Sequence, residues 1–293
     1  MGLATPMVDY QKLGRKAASA ANSTRLSLNY DLVEPVSAYE ICADLDMIVR
    51  FVDVNMEGLY EAGPPPRIFL SSERPLSRRH FTCAHELGHH VFNHGSRIDE
   101  LQASSRAGSP KPADETLVDM FAGHLLMPTI GLNRSINRRK LNASDLNPID
   151  VLHISSEYGV GYETLLTHLS FGMRFLPLKK RARLIKEGIS VRKNMKKYLG
   201  TSSSIFIDGK SFCHSITMEV QQILLSDKKI QYDSKYIQFV NQTIWGLRYD
   251  IIQSGTTYVT IDGNCSDIQL NIAPHKFNGL AKYRFLEEIH DED

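Results

Sequence analysis

Residues 82–90 read Thr-Cys-Ala-His-Glu-Leu-Gly-His-His, and two histidines of this stretch, His85 and His89, stand four positions apart. On an α-helix, residues four apart lie on the same face, so both imidazoles can bind one metal ion. Glu86 follows the first histidine and lies close enough to take a proton from a water molecule on that metal. The stretch therefore predicts a hydrolytic metal site on a helix.

The flanking sequence favours a helix around this motif. Pro75 suits a first helical turn, and Gly95 is a natural C-terminal cap. Between them, apolar residues recur at helical spacing and predict a buried stripe: Leu76, Ala84, Leu87 and Val91. Gly88 costs about 1 kcal/mol of helix stability relative to alanine. A glycine at that position indicates that another part of the chain approaches the helix backbone closely.

A third ligand is expected on the next predicted helix, which spans residues 114–127 and is closed by Pro128. A catalytic zinc ion takes three protein ligands and keeps a fourth position for water. Glu115, 26 residues beyond His89, is the candidate for the third ligand. Asp119 lies one turn later on the same face, where its carboxylate can accept the second ring N–H of a ligating histidine.

This constellation resembles the gluzincin pattern, in which His-Glu-x-x-His is followed downstream by Glu-x-x-x-Asp. Residues 85–89 read His-Glu-Leu-Gly-His and residues 115–119 read Glu-Thr-Leu-Val-Asp. Residues 121–128, Phe-Ala-Gly-His-Leu-Leu-Met-Pro, add a second match, and together these stretches resemble the ImmA/IrrE metallopeptidase family. The resemblance covers roughly residues 30–175 and departs from the family at Asp119, where members often have asparagine.

The resemblance implies a zincin-like fold and a cytoplasmic zinc peptidase. It implies that His85, His89 and Glu115 bind Zn²⁺, that Glu86 is the general base, and that Asp119 orients a ligating histidine. It also implies a protein substrate, a helix-turn-helix transcriptional repressor whose cleavage releases a stress or mobile-element programme. Composition and spacing indicate only the metal site.

Several other residues near the motif are open to more than one interpretation. Peptide hydrolysis needs a group that stabilises the oxyanion, and Tyr60, His80 and His94 are the available types. Cys83 is interpreted as a small buried helix residue rather than a redox-sensitive thiol. His124 lies about half a turn away from the face that carries Glu115, so it is not expected to be a ligand.

The whole chain is predicted to be α+β. Before the motif, the pattern predicts helices over residues 7–22 and from Ser37 to Leu45, then strands over residues 48–52 and 67–70. Residues 96–113 are polar and small and predict a surface loop. We predict three segments: a mainly helical peptidase domain with a small sheet over residues 1–140, a helix-turn-helix-like segment and basic linker over 141–198, and a β-rich sensing or recognition domain over 199–293.

The helix pair expected over residues 145–172 carries few side chains that bind phosphate. Its second part and the turn before it contain Glu157, Tyr158, Tyr162 and Glu163, so packing or substrate docking is favoured over DNA binding. Residues 174–197 contain ten Lys or Arg and one acidic residue. This run is interpreted as a solvated helical linker, with contact to DNA or an acidic partner as the alternative.

The composition limits the classes of function and cellular location that remain open. Lys and Arg number 34 against 33 Asp and Glu, which gives no overall attraction to nucleic acid or membrane. The four cysteines show no Cys-x-x-Cys spacing, and no signal peptide or membrane span is indicated, so a cytoplasmic location is expected. The alternative function is a non-proteolytic regulatory or toxin-like protein that acts by binding a repressor or DNA.

Overall fold

The computed structural model describes residues 9–99, 111–201, 203–211, 213–263 and 266–286. Within these residues no helix is both long enough and apolar enough to cross a membrane. Most of the predicted 96–113 loop, and Cys265, lie outside the described residues.

Two helices begin the described chain, α1 (Tyr10–Ser27) and α2 (Ala38–Asp44). The Ser37 hydroxyl caps α2 by accepting from the Glu40 backbone N–H, as predicted. The prediction that the first helix ends near residue 22 is wrong. The helix continues because the buried Arg25 anchors its last turn, donating to the backbone oxygens of three distant residues: Asp31, Glu34 and Leu125.

A small mixed sheet lies under the motif helix. Its strands are β1 (Ile48–Val52), β2 (Gly58–Glu61), β3 (Arg67–Ser71) and β4 (Arg97–Asp99), and Gly279–Leu280 adds a fifth from near the C-terminal end. The first and third strands pair in parallel, and the other pairs are antiparallel. Strands β1 and β3 were predicted, whereas β2 and β4 were not.

The motif lies on α3 (Leu76–Val91), which packs against α4 (Ala113–Leu126). The contact is close at Gly88, where an added Cβ would stand 3.0 Å from Val118 Cβ and 3.1 Å from Phe121 Cδ1. This contact is the close approach that the glycine predicted. Helix α3 ends before Gly95 because the chain turns at Asn93, which has a φ of 55°.

Four further helices follow: α5 (Thr129–Arg138), α6 (Pro148–Glu157), α7 (Tyr162–Thr167) and α8 (Leu178–Leu199), with a π-helical turn over His168–Gly172. The helix pair is confirmed at α6 and α7. Helix α5 was missed because Pro128 closes α4 and begins the next helix at the same point.

Beyond residue 200 the chain forms two four-stranded sheets, as the β-rich prediction requires. One has the order β5-β7-β10-β9 and the other β6-β12-β11-β8. Buried side chains from both sheets form one apolar cluster, so the sheets pack face to face. The strands are β5 (Ser204–Ile207), β6 (Ser215–Glu219), β7 (Ile223–Ser226), β8 (Ile230–Gln231), β9 (Ile237–Thr243), β10 (Gly246–Ile251), β11 (Gly255–Ile261) and β12 (Ile268–Ala273).

The β-rich region is joined to the motif helix by a buried ion pair. Arg79, 2% exposed, donates from Nη2 to Glu219 of β6, and its guanidinium lies over the ring of Phe51. The larger apolar core also includes Phe206 and Leu225 from the β-rich region. The α+β class is confirmed, while the boundaries at residues 140 and 198 stay a prediction.

Two histidines outside the motif, His124 and His168, are buried, and a third, His80, is partly buried. Burial lowers the pKa of His80 and of His124 to about 4, and burial with the neighbouring His124 lowers that of His168 to about 3. His80 accepts from the Ala38 backbone N–H at Nε2 and donates from Nδ1 to the Gly159 oxygen, which fixes its neutral tautomer. The folded chain therefore resists protonation that the unfolded chain accepts below about pH 6.5.

We predict that acid destabilises the fold through these groups. Between pH 7 and pH 5 the free energy of unfolding should fall by about 2 kcal/mol for each histidine, because only the unfolded state binds the protons. His124→Gln should reduce that fall by one such step in urea unfolding with chelator present. The matched control is His275→Gln, whose side chain is 48% exposed. An unchanged pH dependence in His124→Gln would contradict the assignment.

Candidate metal centre

Helix α3 brings the two motif histidines together in the protein interior. His85 is 5% exposed and His89 is fully buried. Their Nε2 atoms lie 3.3 Å apart, and both point to one side of the helix, as the spacing of four residues requires.

Glu115, from the first turn of α4, completes a group of three ligand side chains, here called the ligand triangle. Its Oε2 is 3.3 Å from His85 Nε2, and its Oε1 is 3.5 Å from His89 Nε2. Two atoms that bind one zinc ion at about 2.1 Å in tetrahedral geometry lie about 3.4 Å apart. The distance between the two nitrogens, and the distance from each nitrogen to a different oxygen of the carboxylate, match this separation. Among the described residues, these three form the one group of His, Cys, Asp or Glu side chains close enough to share a metal ion.

Asp119 contacts the outer nitrogen of His85, as the sequence predicts. Its Oδ1 is 2.9 Å from His85 Nδ1, and its Oδ2 accepts from Lys111 Nζ at 2.5 Å. Burial would raise the pKa of Asp119, but the hydrogen bond and charge of His85 and the ammonium of Lys111 lower it below the usual range. An ionised carboxylate accepts the Nδ1–H and leaves the Nε2 lone pair of His85 for a metal.

His94 contacts His89 in the corresponding way, and the sequence did not identify this role. The two Nδ1 atoms are 3.0 Å apart, and His94 Nε2 is 3.9 Å from Asp114 Oδ1. If His89 offers Nε2 to a metal, its Nδ1–H donates to His94, so each ligating imidazole has its own outer partner. The available signal was a histidine five residues beyond His89, just past the helix end.

Glu86 is fully buried beside the ligand triangle and lies against strand β2. At Gly58 an added Cβ would stand 2.5 Å from Glu86 Oε1 and 2.6 Å from Thr82 Cγ2. The strand can therefore pass this close to the carboxylate only with glycine at that position. A small residue in an unpredicted strand was the missing signal for this contact.

Two of the residues considered as oxyanion stabilisers are held elsewhere. His80 bridges Ala38 and Gly159, and Tyr60 makes a 2.8 Å hydrogen bond between its hydroxyl and His90 Nδ1. His94, the third, contacts the ligand His89.

The remaining nearby residues contribute to packing. Cys83 is fully buried with its Sγ 3.8 Å from that of Cys42, and burial raises the pKa of its thiol, as expected of a core residue. The ring of His124 packs edge-on against that of His168, away from the ligand triangle.

The helix pair is also built for packing. Glu157 is 3% exposed and accepts from Arg138 and Arg139, while the Tyr162 hydroxyl donates to the Leu184 backbone oxygen at 2.9 Å. Glu157 and Tyr162 thus serve packing inside the molecule.

Comparison with known families gives a match over residues 42–170 to the IrrE N-terminal-like domain, a peptidase family. The match contains α3, α4 and all five predicted site residues. No curated protein matches the chain. Residues 42–170, which hold the whole ligand triangle, are therefore similar to the IrrE N-terminal-like peptidase domain, as the resemblance to the ImmA/IrrE family predicted.

Proposed function

We propose that the protein is a zinc-dependent endopeptidase. The observation that carries this proposal is the group of two buried imidazole nitrogens and a partly exposed carboxylate, with separations of 3.3 to 3.5 Å, beside a buried glutamate. Two histidines and one glutamate form the ligand set of catalytic zinc in several peptidases. Three ligands leave a position for water, whereas a structural zinc site has four protein ligands.

Zinc held by His85, His89 and Glu115 would polarise the scissile carbonyl and make a water molecule more acidic. Glu86 then accepts a proton from the attacking water as its oxygen bonds to the carbonyl carbon. The same carboxyl group gives that proton to the amide nitrogen, and the C–N bond breaks with release of an amine. The contact with Gly58 holds Glu86 in place for both transfers.

Asp119 and His94 act as positioning residues in this mechanism. Each accepts a hydrogen bond from the outer nitrogen of one ligating imidazole, which fixes the tautomer and the ring orientation. Lys111 holds the Asp119 carboxylate from the other side.

The substrate that we propose is a helix-turn-helix transcriptional repressor, cleaved in the cytoplasm to release a stress or mobile-element response. The match of residues 42–170 to the IrrE N-terminal-like domain, together with the resemblance to the ImmA/IrrE family, supports this choice. A purified helix-turn-helix repressor from the same genome, taken from a neighbouring gene where one is present, is the substrate to test first.

We predict that Glu86→Gln abolishes cleavage and leaves metal binding intact, because the amide keeps the shape of the side chain but cannot accept the proton. Removal of a general base typically reduces the rate by about 10²–10⁴-fold. The measurement is cleavage of the purified repressor with zinc and with chelator, together with metal content. Glu187→Gln, on the exposed surface of α8, is the matched control. Cleavage by Glu86→Gln at the wild-type rate would exclude this mechanism. If the zinc-bound wild-type protein cleaves nothing, the result favours the non-proteolytic alternative.

We predict that His94→Ala and Asp119→Ala each weaken zinc binding by about 10- to 100-fold, because a ligating histidine loses the partner of its outer nitrogen. Competition with a chromophoric chelator measures this affinity without reference to activity. The exposed His275→Ala provides the control. Wild-type affinity in both variants would show that the two contacts do not position the ligands.

A further inference from the structure

Helix α8 separates its basic side chains onto two faces, which the sequence alone does not show. Three of them turn toward the protein and donate to neighbouring oxygens: Lys180 to the Ser144 backbone, Arg181 to Thr167, and Arg192 to Glu163. These contacts anchor the helix to the rest of the protein and turn the three cations away from its opposite face.

The opposite face carries a stripe of five exposed cations, here called the basic ridge: Lys179, Arg183, Lys186, Lys193 and Lys197. Helix α8 buries Gly188 against the ring of Tyr162. At about 100° per residue, all five ridge positions lie within about 40° of the direction opposite to Gly188. The ridge spans 19 residues, or about 27 Å along the axis.

The ridge concentrates positive charge in a chain whose net charge is close to zero. The net charge is +1, yet the ridge holds five cations, and the one acidic residue of the helix, Glu187, lies on the flank and pairs with Arg183 at 2.7 Å. Like charges three, four and seven residues apart destabilise a helix slightly, and an ordinary solvated helix mixes both signs. The arrangement suits an extended anionic partner.

The side chains of the ridge favour a nucleic acid over a protein or a lipid surface. Lysine is depleted in protein–protein interfaces, which rely on buried aromatic and apolar anchors, and the ridge contains none. An interfacial membrane helix needs a free apolar face. On α8, Leu184, Met195 and Leu199 are buried in the protein. Three large apolar or aromatic residues are exposed, but they lie on two opposite flanks of the helix and form no continuous apolar face: Leu178, Ile189 and Tyr198.

We propose that the basic ridge of α8 binds the phosphate backbone of duplex DNA without sequence preference. Lysine contacts to phosphates position a protein on DNA but read no bases. The inference is independent of the peptidase reaction, since the ridge contains no residue of the metal centre.

The test uses fluorescence anisotropy of the full-length protein with a labelled 24-base-pair duplex of random sequence at several salt concentrations. Five phosphate contacts give a slope of log K against log salt of about −4.5, or about 500-fold weaker binding between 50 and 200 mM salt. A variant with Gln at Lys179, Lys186, Lys193 and Lys197 should keep a slope of about −0.9.

The matched control replaces four exposed lysines of the β-rich region with Gln: Lys210, Lys228, Lys229 and Lys235. This control changes the net charge by the same amount as the ridge variant and should retain the wild-type slope of log K against log salt. Circular dichroism checks that both variants fold. The proposal is overturned if wild type does not bind the duplex at 50 mM salt, if the control loses as much affinity as the ridge variant, or if wild type binds anionic vesicles or polyglutamate but not the duplex.

Discussion

The close contact between α3 and α4 at Gly88 is the constraint on which the metal centre depends. An added Cβ there would stand 3.0 Å from Val118, so any larger residue would force the helices apart. Glu115 reaches His85 at 3.3 Å because it lies on the same helix as Val118, one turn earlier. The glycine weakens its own helix but permits the spacing that two ligands on one helix and one on another require.

Helix α3 also links the peptidase region to the β-rich region. Arg79, six residues before His85 on the same helix, forms a buried ion pair with Glu219 of β6. Leaving either charge unpaired in the interior would cost about 3–5 kcal/mol, so the two regions are held together at this point. The strand at Gly279–Leu280 adds a second connection by pairing with β1.

The sequence predicted those parts of the site that depend on local spacing. The separation of His85 and His89 follows from helix geometry, and Glu115 and Asp119 share one helical face for the same reason. The contact between Gly58 and Glu86, and the one between His94 and His89, join residues through tertiary folding and have no local periodicity. Strands β2 and β4 were missed because such short strands have weak sequence signals. Helix α5 was missed because Pro128 ends α4 and begins α5 at the same point.

The basic residues of α8 also show what cannot be predicted from the sequence alone. Ten basic residues between 174 and 197 are visible in the sequence, but only packing decides which of them face solvent. Gly188 packs on Tyr162, and the π-helical turn beyond α7 packs its His168 on Gly123 of α4, the helix that carries Glu115. This series of close contacts fixes the ridge relative to the metal centre. DNA bound along the ridge would therefore keep one fixed orientation relative to the metal centre.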